Sequence, residues 1–241
     1  MVDADPISLS CRALPLETRI AAFQAVEGIS RPYEVEVFLV APSDDLEPTA
    51  VVGQAATLFV HEDAGGAPMR FSGTIATFDL LHEHAGSSLA RAVIVPRLWF
   101  LGLSRHSRMF TKTSIVDVIT AVLDDNGITE VDMRLGSYAD EEHVCQYRES
   151  DLSFVSRWME REGIFYYFEH GDDGETLVLR DTASYADDPL GAPVAYHSYA
   201  ERDVTPTGLR AFKSRYATLP ASVRLRDYDY AKPGLDVSGS A

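Results

Sequence analysis

Sulfur is scarce in this 241-residue chain, whose two cysteines, Cys11 and Cys145, lie far apart and outside any CxxC spacing. A disulfide framework or a structural zinc site needs more ligands at closer spacing, so both thiols are expected to be reduced and buried. Long apolar runs are missing as well. No stretch of about eighteen apolar residues is present to span a bilayer. The N-terminus, MVDADPISLS, has neither a basic stretch nor an apolar core, so neither membrane anchoring nor a Sec signal peptide is expected. Positive charge is in deficit, with 21 Lys and Arg against 37 Asp and Glu for a net charge of −16. The average field of such a chain repels phosphate backbones and anionic lipid, which argues against nucleic-acid partners. The acids fall in short runs, at Ser43 to Glu47, Asp124 and Asp125, Ala139 to Glu142, and Tyr185 to Asp188. These read as solvated loops rather than one interaction tail.

Catalytic signatures are equally sparse. The chain contains no GxSxG, HExxH, GxxxxGK or GxGxxG string, so motif-level signals for serine hydrolysis, zinc proteolysis and nucleotide binding are lacking. His82, Glu83 and His84 carry suitable ligand chemistry, since residues i and i+2 of a strand share a face, but they adjoin a turn and no third ligand is evident. His61, Glu62 and Asp63 stand in the same position before Gly65 and Gly66 and read the same way. His143 and Cys145 form a conceivable nucleophile pair. Asp140, Glu141 and Glu142 next door give the thiol the wrong electrostatic setting, and buried packing is the expected role. Met109 and Phe110 near Trp99, Phe100 and Leu101 are expected in the core. No metal and no cofactor is expected.

What is present is a globular pattern, with 46% hydrophobic and 24% charged residues, enough for one large core or two smaller ones. Strand signals dominate the first hundred residues. Tyr33, Val35, Val37 and Leu39 alternate with Glu34, Glu36 and Phe38; Leu58 and Val60 precede a glycine turn; Phe71, Gly73, Ile75 and Thr77 continue the alternation; and residues 89–95 give one more strand before Pro96. A small antiparallel barrel or sandwich accounts for this spacing. The period then changes. Ile115, Val118, Ile119, Val122 and Leu123 fall at helical spacing after a Thr113 or Ser114 cap and stop at Asn126 and Gly127. Further on, Leu209, Ala211, Lys213 and Arg215 alternate, and after Pro220 so do Val223, Leu225 and Asp227.

The densest signal runs from Val144 to His170, VCQYRESDLSFVSRWMEREGIFYYFEH, which reads as strand, capped helix, glycine stop and strand. Ser150 is a good N-cap and Asp151 places negative charge at the positive helix end. Leu152, Val155 and Met159 repeat at helical spacing, Phe154 and Trp158 widen the stripe, and Arg157, Glu160 and Arg161 face water. Gly163 suits the left-handed position after a helix. The following aromatic strand, Ile164 to Phe168, meets turn residues from His170 to Gly174 and is expected to pair back with Thr176 to Leu179. Arg148, Glu149, Asp151, Arg157, Glu160 and Glu162 form either a catalytic carboxylate pair or a structural ion-pair network, and the network is favoured unless two carboxylates face a cleft.

This string, with Cys145, Gln146, Tyr147, Arg148, Glu149, Ser150, Asp151, Phe154, Arg157, Glu160, Glu162 and Gly163 as its signature positions, resembles the N-terminal region of the VgrG family, the trimeric spike hubs of bacterial type VI secretion. FQAVEGISRPYEVEVFLV (Phe23 to Val40), LFVHEDAGGAPMRFSGTIATF (Leu58 to Phe78), VPRLWFLGLSRHSRMFTKTSIVDVITAVL (Val95 to Leu123) and RDYDYAKP (Arg226 to Pro233) are similar to the same family in the same order. The resemblance implies a mainly β, α+β fold: a small antiparallel β-barrel over residues 1–105, an α+β domain over 106–198 with helices near 114–126 and 151–162, and over 199–241 the opening strands of a second, incomplete β-barrel. It also implies a structural rather than enzymatic role, as a hub that matches a hexameric tube and carries effectors on contraction. Expected partners are further copies of the chain in a homotrimer, the tube protein, baseplate proteins, and effectors or adaptors. The expected location is cytoplasmic before firing and then outside the cell or in a target cell. Full-length members of that family continue into an OB-like domain and a long β-helical spike beyond the part matched here, so trimerisation is expected to lean on that missing part. A contractile phage tail hub is the alternative. A truncated adaptor and a small hydrolase or metal-dependent enzyme using the His82 to His84 or Cys145 region are the rivals.

Overall fold

The computed structural model describes residues 6–61, 68–182, 196, 208–209, 211–218 and 220–240. Glu62, Asp63, the turn at Gly65 and Gly66 and the acidic run at Tyr185 to Asp188 lie outside the described residues. The chain divides into two units, Met1–Asp187 and Asp188–Ala241.

The first unit opens with six antiparallel strands: β1 (Ile7–Cys11), β2 (Arg19–Gly28), β3 (Arg31–Pro42), β4 (Ala55–Val60), β5 (Met69–His84) and β6 (Ser87–Val95), in the spatial order β1-β4-β5-β6-β3-β2. The sheet curls until its two outer strands, β1 and β2, touch, although no ladder joins them. Strand β3 shows why the curl has an inside. Tyr33, Val35, Val37, Leu39 and Ala41 are all buried on one face while the residues between them reach the other, as the pleat requires. Across the ladder, Val37 pairs with Ala92 and Leu39 with Ala90, so large and small side chains alternate at facing positions and fill the interior. The short α1 (Pro48–Val51) buries Val51 in the same cluster.

On β5 the expected alternation holds through Phe71 and Ile75 and then fails. A bulge between Ile75 and Thr77 reverses the facing, as one unpaired residue must in a period of two. Thr77 is therefore exposed and Phe78 packs on the core.

After a 3-10 turn at Arg97–Gly102 that buries Leu98 and Leu101, the unit continues with β7 (Arg105–Phe110), β8 (Thr113–Ser114), α2 (Ile115–Asp125), β9 (Val131–Arg134), β10 (Asp140–Glu141), β11 (Val144–Ser150), α3 (Asp151–Glu162), β12 (Phe165–Gly171) and β13 (Gly174–Arg180). β7 pairs with β11, β8 with β10, and β12 with β13, all antiparallel, while β9 runs parallel to β13. Both helices follow one local recipe. Ser114 accepts the Asp117 N–H at 3.2 Å and Ser150 accepts the Ser153 N–H at 3.1 Å, satisfying donors that a helix start leaves over. Both end on a left-handed glycine, Gly127 at φ 67° and Gly163 at φ 72°. The next residues, Ile128 and Ile164, send their N–H back to the Leu123 and Met159 carbonyls at 2.9 and 2.8 Å, the doubled closure in which a hydrophobic residue also returns to the core. The buried face of α2 is Ile115, Val118, Ile119, Val122 and Leu123, and that of α3 is Phe154, Val155, Trp158 and Met159.

Met109 departs from its expected place in this core and is 62% exposed. It sits opposite Cys145 on the outer face of the β7–β11 pair, and the inner face is taken by Val144 and Gln146. Cys145 is exposed for the same reason and Cys11 is half-buried, which corrects the expectation of two buried thiols.

The second unit holds an antiparallel pair, β14 (Arg224–Arg226) with β15 (Ser238–Ser240), and a single bridge between Tyr196 and Leu209. The strand expected from Leu209 to Arg215 does not form among the described residues, where Phe212 and Tyr216 are 78% and 95% exposed. Alternation specifies a strand only where a sheet face takes up one set of side chains.

Gly73 marks a close approach of backbones within the barrel. A Cβ there would stand 2.5 Å from the Val95 carbonyl oxygen and 2.8 Å from the Tyr33 hydroxyl. Gly73→Ala is expected to cost about 2–3 kcal/mol through forced displacement of the facing strand, read as a lower urea midpoint. An unchanged midpoint would refute the close packing.

Candidate functional site

The signature segment assembles around Asp151, the first residue of α3, whose side chain is fully buried. Its Oδ1 accepts from Arg108 Nη2 at 2.5 Å, Gln146 Nε2 at 2.7 Å and His106 Nδ1 at 2.9 Å, and its Oδ2 accepts from Asn126 Nδ2 at 3.1 Å. His106 and Arg108 come from β7, Gln146 from β11, and Asn126 caps the end of α2. Burial alone would raise the Asp151 pKa; the hydrogen bonds from Gln146, His106, Asn126 and Arg108 outweigh it and hold the carboxyl at about 2. The start of α3 adds its own positive field. Gln146 is 1% exposed and is the hinge of the network, because its Oε1 accepts from Arg108 Nε at 2.9 Å while its Nε2 also reaches the Glu149 carbonyl at 3.2 Å.

That last bond spans a bulge. The ladder between β7 and β11 shifts between Tyr147 and Glu149, and Arg148 takes φ 51°. The extra residue turns Arg148 outward, where its N–H donates to Ser107 Oγ at 3.2 Å and its guanidinium lies 5.3 Å over the exposed Tyr147 ring. Glu149 grips Arg157 with Nε at 3.0 Å and Nη2 at 2.8 Å, and the same Nη2 donates to the Cys145 carbonyl at 2.6 Å. The Arg157 guanidinium also lies 5.2 Å over Phe154 and 5.4 Å over Trp158. Phe154 stacks on Phe110 at 6.0 Å. Glu160 is exposed and lends its carbonyl to the helix end, closed by Gly163, and Glu162 lies 3.6 Å from Arg161.

The ion pairs that form among these residues include Asp151 with Arg108, Glu149 with Arg157 and Glu162 with Arg161. The carboxylate at the centre faces no cleft and has its lone pairs occupied, so it has no free position for proton transfer to a substrate. Sequence reasoning placed Asp151 and Gln146 in the signature but missed His106, Arg108 and Asn126 as their partners. The one available signal was Asn126 at a helix end.

A second cluster joins the barrel to the α+β part of the same unit. The Tyr33 hydroxyl on β3 contacts both the Ser72 carbonyl on β5 and Glu175 Oε2 on β13. Glu175 Oε1 accepts the Arg97 N–H at 2.6 Å, and the Ser72 N–H donates to His170 Nδ1 at 3.1 Å. Tyr33 packs edge-on to Phe168 at 5.0 Å and to His170 at 5.1 Å. No sequence pattern pointed to this cluster.

His82 and His84 do share a face, with rings stacked at 6.4 Å. Among the described residues no three His, Cys, Asp or Glu side chains come together as a metal site. His143 lies just before β11 and, like Cys145, is exposed. No helix is long and apolar enough to cross a membrane among the described residues.

With this geometry in place, comparison with known proteins is decisive for the family. The family described as the phage tail baseplate hub (GPD) matches residues 26–241. The chain belongs to this baseplate hub family. The hub chain is 33% identical over 97% of its length to the type VI secretion system spike protein VgrG5 of Pseudomonas aeruginosa, and 29% identical over 91% to VgrG1b of the same organism. It spans 29% and 30% of the length of those two relatives. Its fold is that of an E. coli component of the type VI secretion system described as structurally similar to the T4 bacteriophage tail proteins gp27 and gp5, with a TM-score of 0.68 at 18% identity over 93% of the hub chain and 56% of the other. The fold is likewise shared with the Francisella PdpA-VgrG complex, at a TM-score of 0.54 and 11% identity over 74% of the hub chain and 31% of that one.

The Asp151 network sets two expectations. Asp151→Ala removes the acceptor from a part-buried Arg108 and from Gln146, and is expected to cost about 3–5 kcal/mol in urea unfolding; a loss under about 1 kcal/mol would mean the network is incidental. Because the folded pKa is lowered from 3.8 to about 2, the stabilisation is present above about pH 4 and is lost as pH falls toward 2. About 2 kcal/mol should disappear over that interval, and the loss should be absent in Asp151→Asn.

Proposed function

We propose that these residues form the hub portion of a type VI secretion spike, with a mechanical role. The observation that carries this reading is the match of nearly the whole chain, residues 26–241, to the baseplate hub family. The signature segment supports it, because Glu149, Asp151 and Arg157 are engaged in holding helices and strands together rather than presented to a substrate. In this reading residues 1–105 supply the first β-barrel, 106–198 the α+β domain and 199–241 the opening strands of a second barrel. Three copies then offer six related barrel units to a hexameric tube, and the assembled spike carries effectors or adaptors when the sheath contracts. The chain stays in the cytoplasm until firing and leaves with the spike.

The part is not an enzyme in this reading. One relative, 27% identical, is the actin cross-linking toxin VgrG1 of Vibrio cholerae, but the hub chain spans 18% of it, and that activity is assigned to no residue here. A contractile phage tail hub is the second reading, favoured by the family's description as a phage tail protein.

The test is co-assembly. The 241-residue chain mixed with the type VI tube protein of the same cell should bind the tube hexamer, measured by light scattering after size exclusion. Binding only to a phage-type tube protein from the same genome would replace the first reading by the second, and binding to neither would overturn both.

A further inference from the structure

The seam cluster poses a question of proton count. Tyr33 has one hydroxyl proton and two partners, the Ser72 carbonyl and Glu175 Oε2. A carbonyl only accepts, so Tyr33 satisfies Ser72 by donating to it, and the contact with Glu175 then needs a proton from the carboxyl. The direct contacts of Glu175 are the Tyr33 hydroxyl and the Arg97 N–H, while the fields of His170 and Arg97 act on it from further off. His170 Nδ1 accepts the Ser72 N–H, and its Nε2 lies 3.7 Å from Glu27. Arg97 meets the carboxyl through its backbone N–H. The cleft beside it is lined by Arg97, Glu130, Asp172 and Asp173 as well as Glu175, and Asp172 is already engaged by Arg70.

We propose that the protonated Glu175 carboxyl latches the β12–β13 hairpin onto the barrel, and that its ionisation releases the latch. In the latched state Glu175 Oε2–H donates to the Tyr33 oxygen, Tyr33 O–H donates to the Ser72 carbonyl, and Glu175 Oε1 accepts from Arg97. On ionisation the Glu175 proton passes to water. The single Tyr33 proton must then serve either the carboxylate or the Ser72 carbonyl, and the other loses that partner at a part-buried seam. Burial raises the Glu175 pKa, and the bonds from Tyr33 and Arg97 and the fields of His170 and Arg97 offset this only in part. The sign is opposite to that of Asp151: the Glu175 contribution is complete below the ordinary carboxylate range and is lost as pH rises through the raised value.

The test is a carbon-13 titration of the Glu175 side-chain carboxyl in the 241-residue chain, assigned through its own bonds so that no variant is required. The expected result is a carboxyl that titrates above the ordinary carboxylate range. Titration at about 4.3, the ordinary value for Glu, would overturn the proposal. Glu175→Gln supplies a permanent neutral donor at the same place. Exchange of the Arg97 and Ser72 amide protons, corrected for the intrinsic pH dependence, should accelerate with rising pH in the unsubstituted chain and stay level in E175Q. Parallel behaviour of the two would count against the latch.

Discussion

The fold of the α+β part depends on one buried charge. A carboxylate taken wholly out of water is tolerated only if its lone pairs are met and its charge is opposed. Asp151 meets both conditions with donors from β7, β11 and the end of α2 while standing at the start of α3. That requirement fixes several features at once. Helix α2 must stop where Asn126 can reach the carboxylate, β7 must bring His106 and Arg108 to the same place, and β11 must carry Gln146 inward and then bulge so that the chain turns into α3. The left-handed Arg148 is the local consequence of that bulge, closed by the bond from Gln146 to the Glu149 carbonyl.

The barrel is tied to this part through the β12–β13 hairpin. Phe168 packs against both hydrophobic clusters, and the Ser30 N–H reaches the Tyr166 carbonyl at 2.8 Å, so backbone and side chains both cross the seam. A shared core resists separation better than a linker with few contacts across it. The joint also carries polar contacts, among Tyr33, Ser72, His170 and Glu175.

Much of the candidate site was legible as local pattern. The Ser150 cap, the Asp151 charge beside it, the apolar face of α3 and the Gly163 stop all follow from neighbours within four residues, and so do the matching features of α2. Which way β11 faces was not. Cys145 and Met109 look like core residues by type, yet they lie on the outer face because Val144 and Gln146 take the inner one, and a polar glutamine takes that place only because a carboxylate and an arginine await it. The bulge on β5 and, among the described residues, the absence of a strand after Leu209 have the same origin, in pairing decided by a partner strand rather than by the strand's own alternation.

The sequence by itself determined the elements whose information is local: the alternation that makes β3, the helical stripes of α2 and α3, their serine caps and glycine stops, and the wording that marks the baseplate hub family. Tertiary structure alone decided the convergence of His106, Arg108, Asn126 and Gln146 on Asp151 and of Tyr33 and Arg97 on Glu175. The physical reason is separation along the chain. Periodicity and capping act over a few residues, whereas residues as far apart as Tyr33 and Glu175 meet only once two sheets have packed, and a polar side chain gives no sign of its partner until burial makes that partner obligatory.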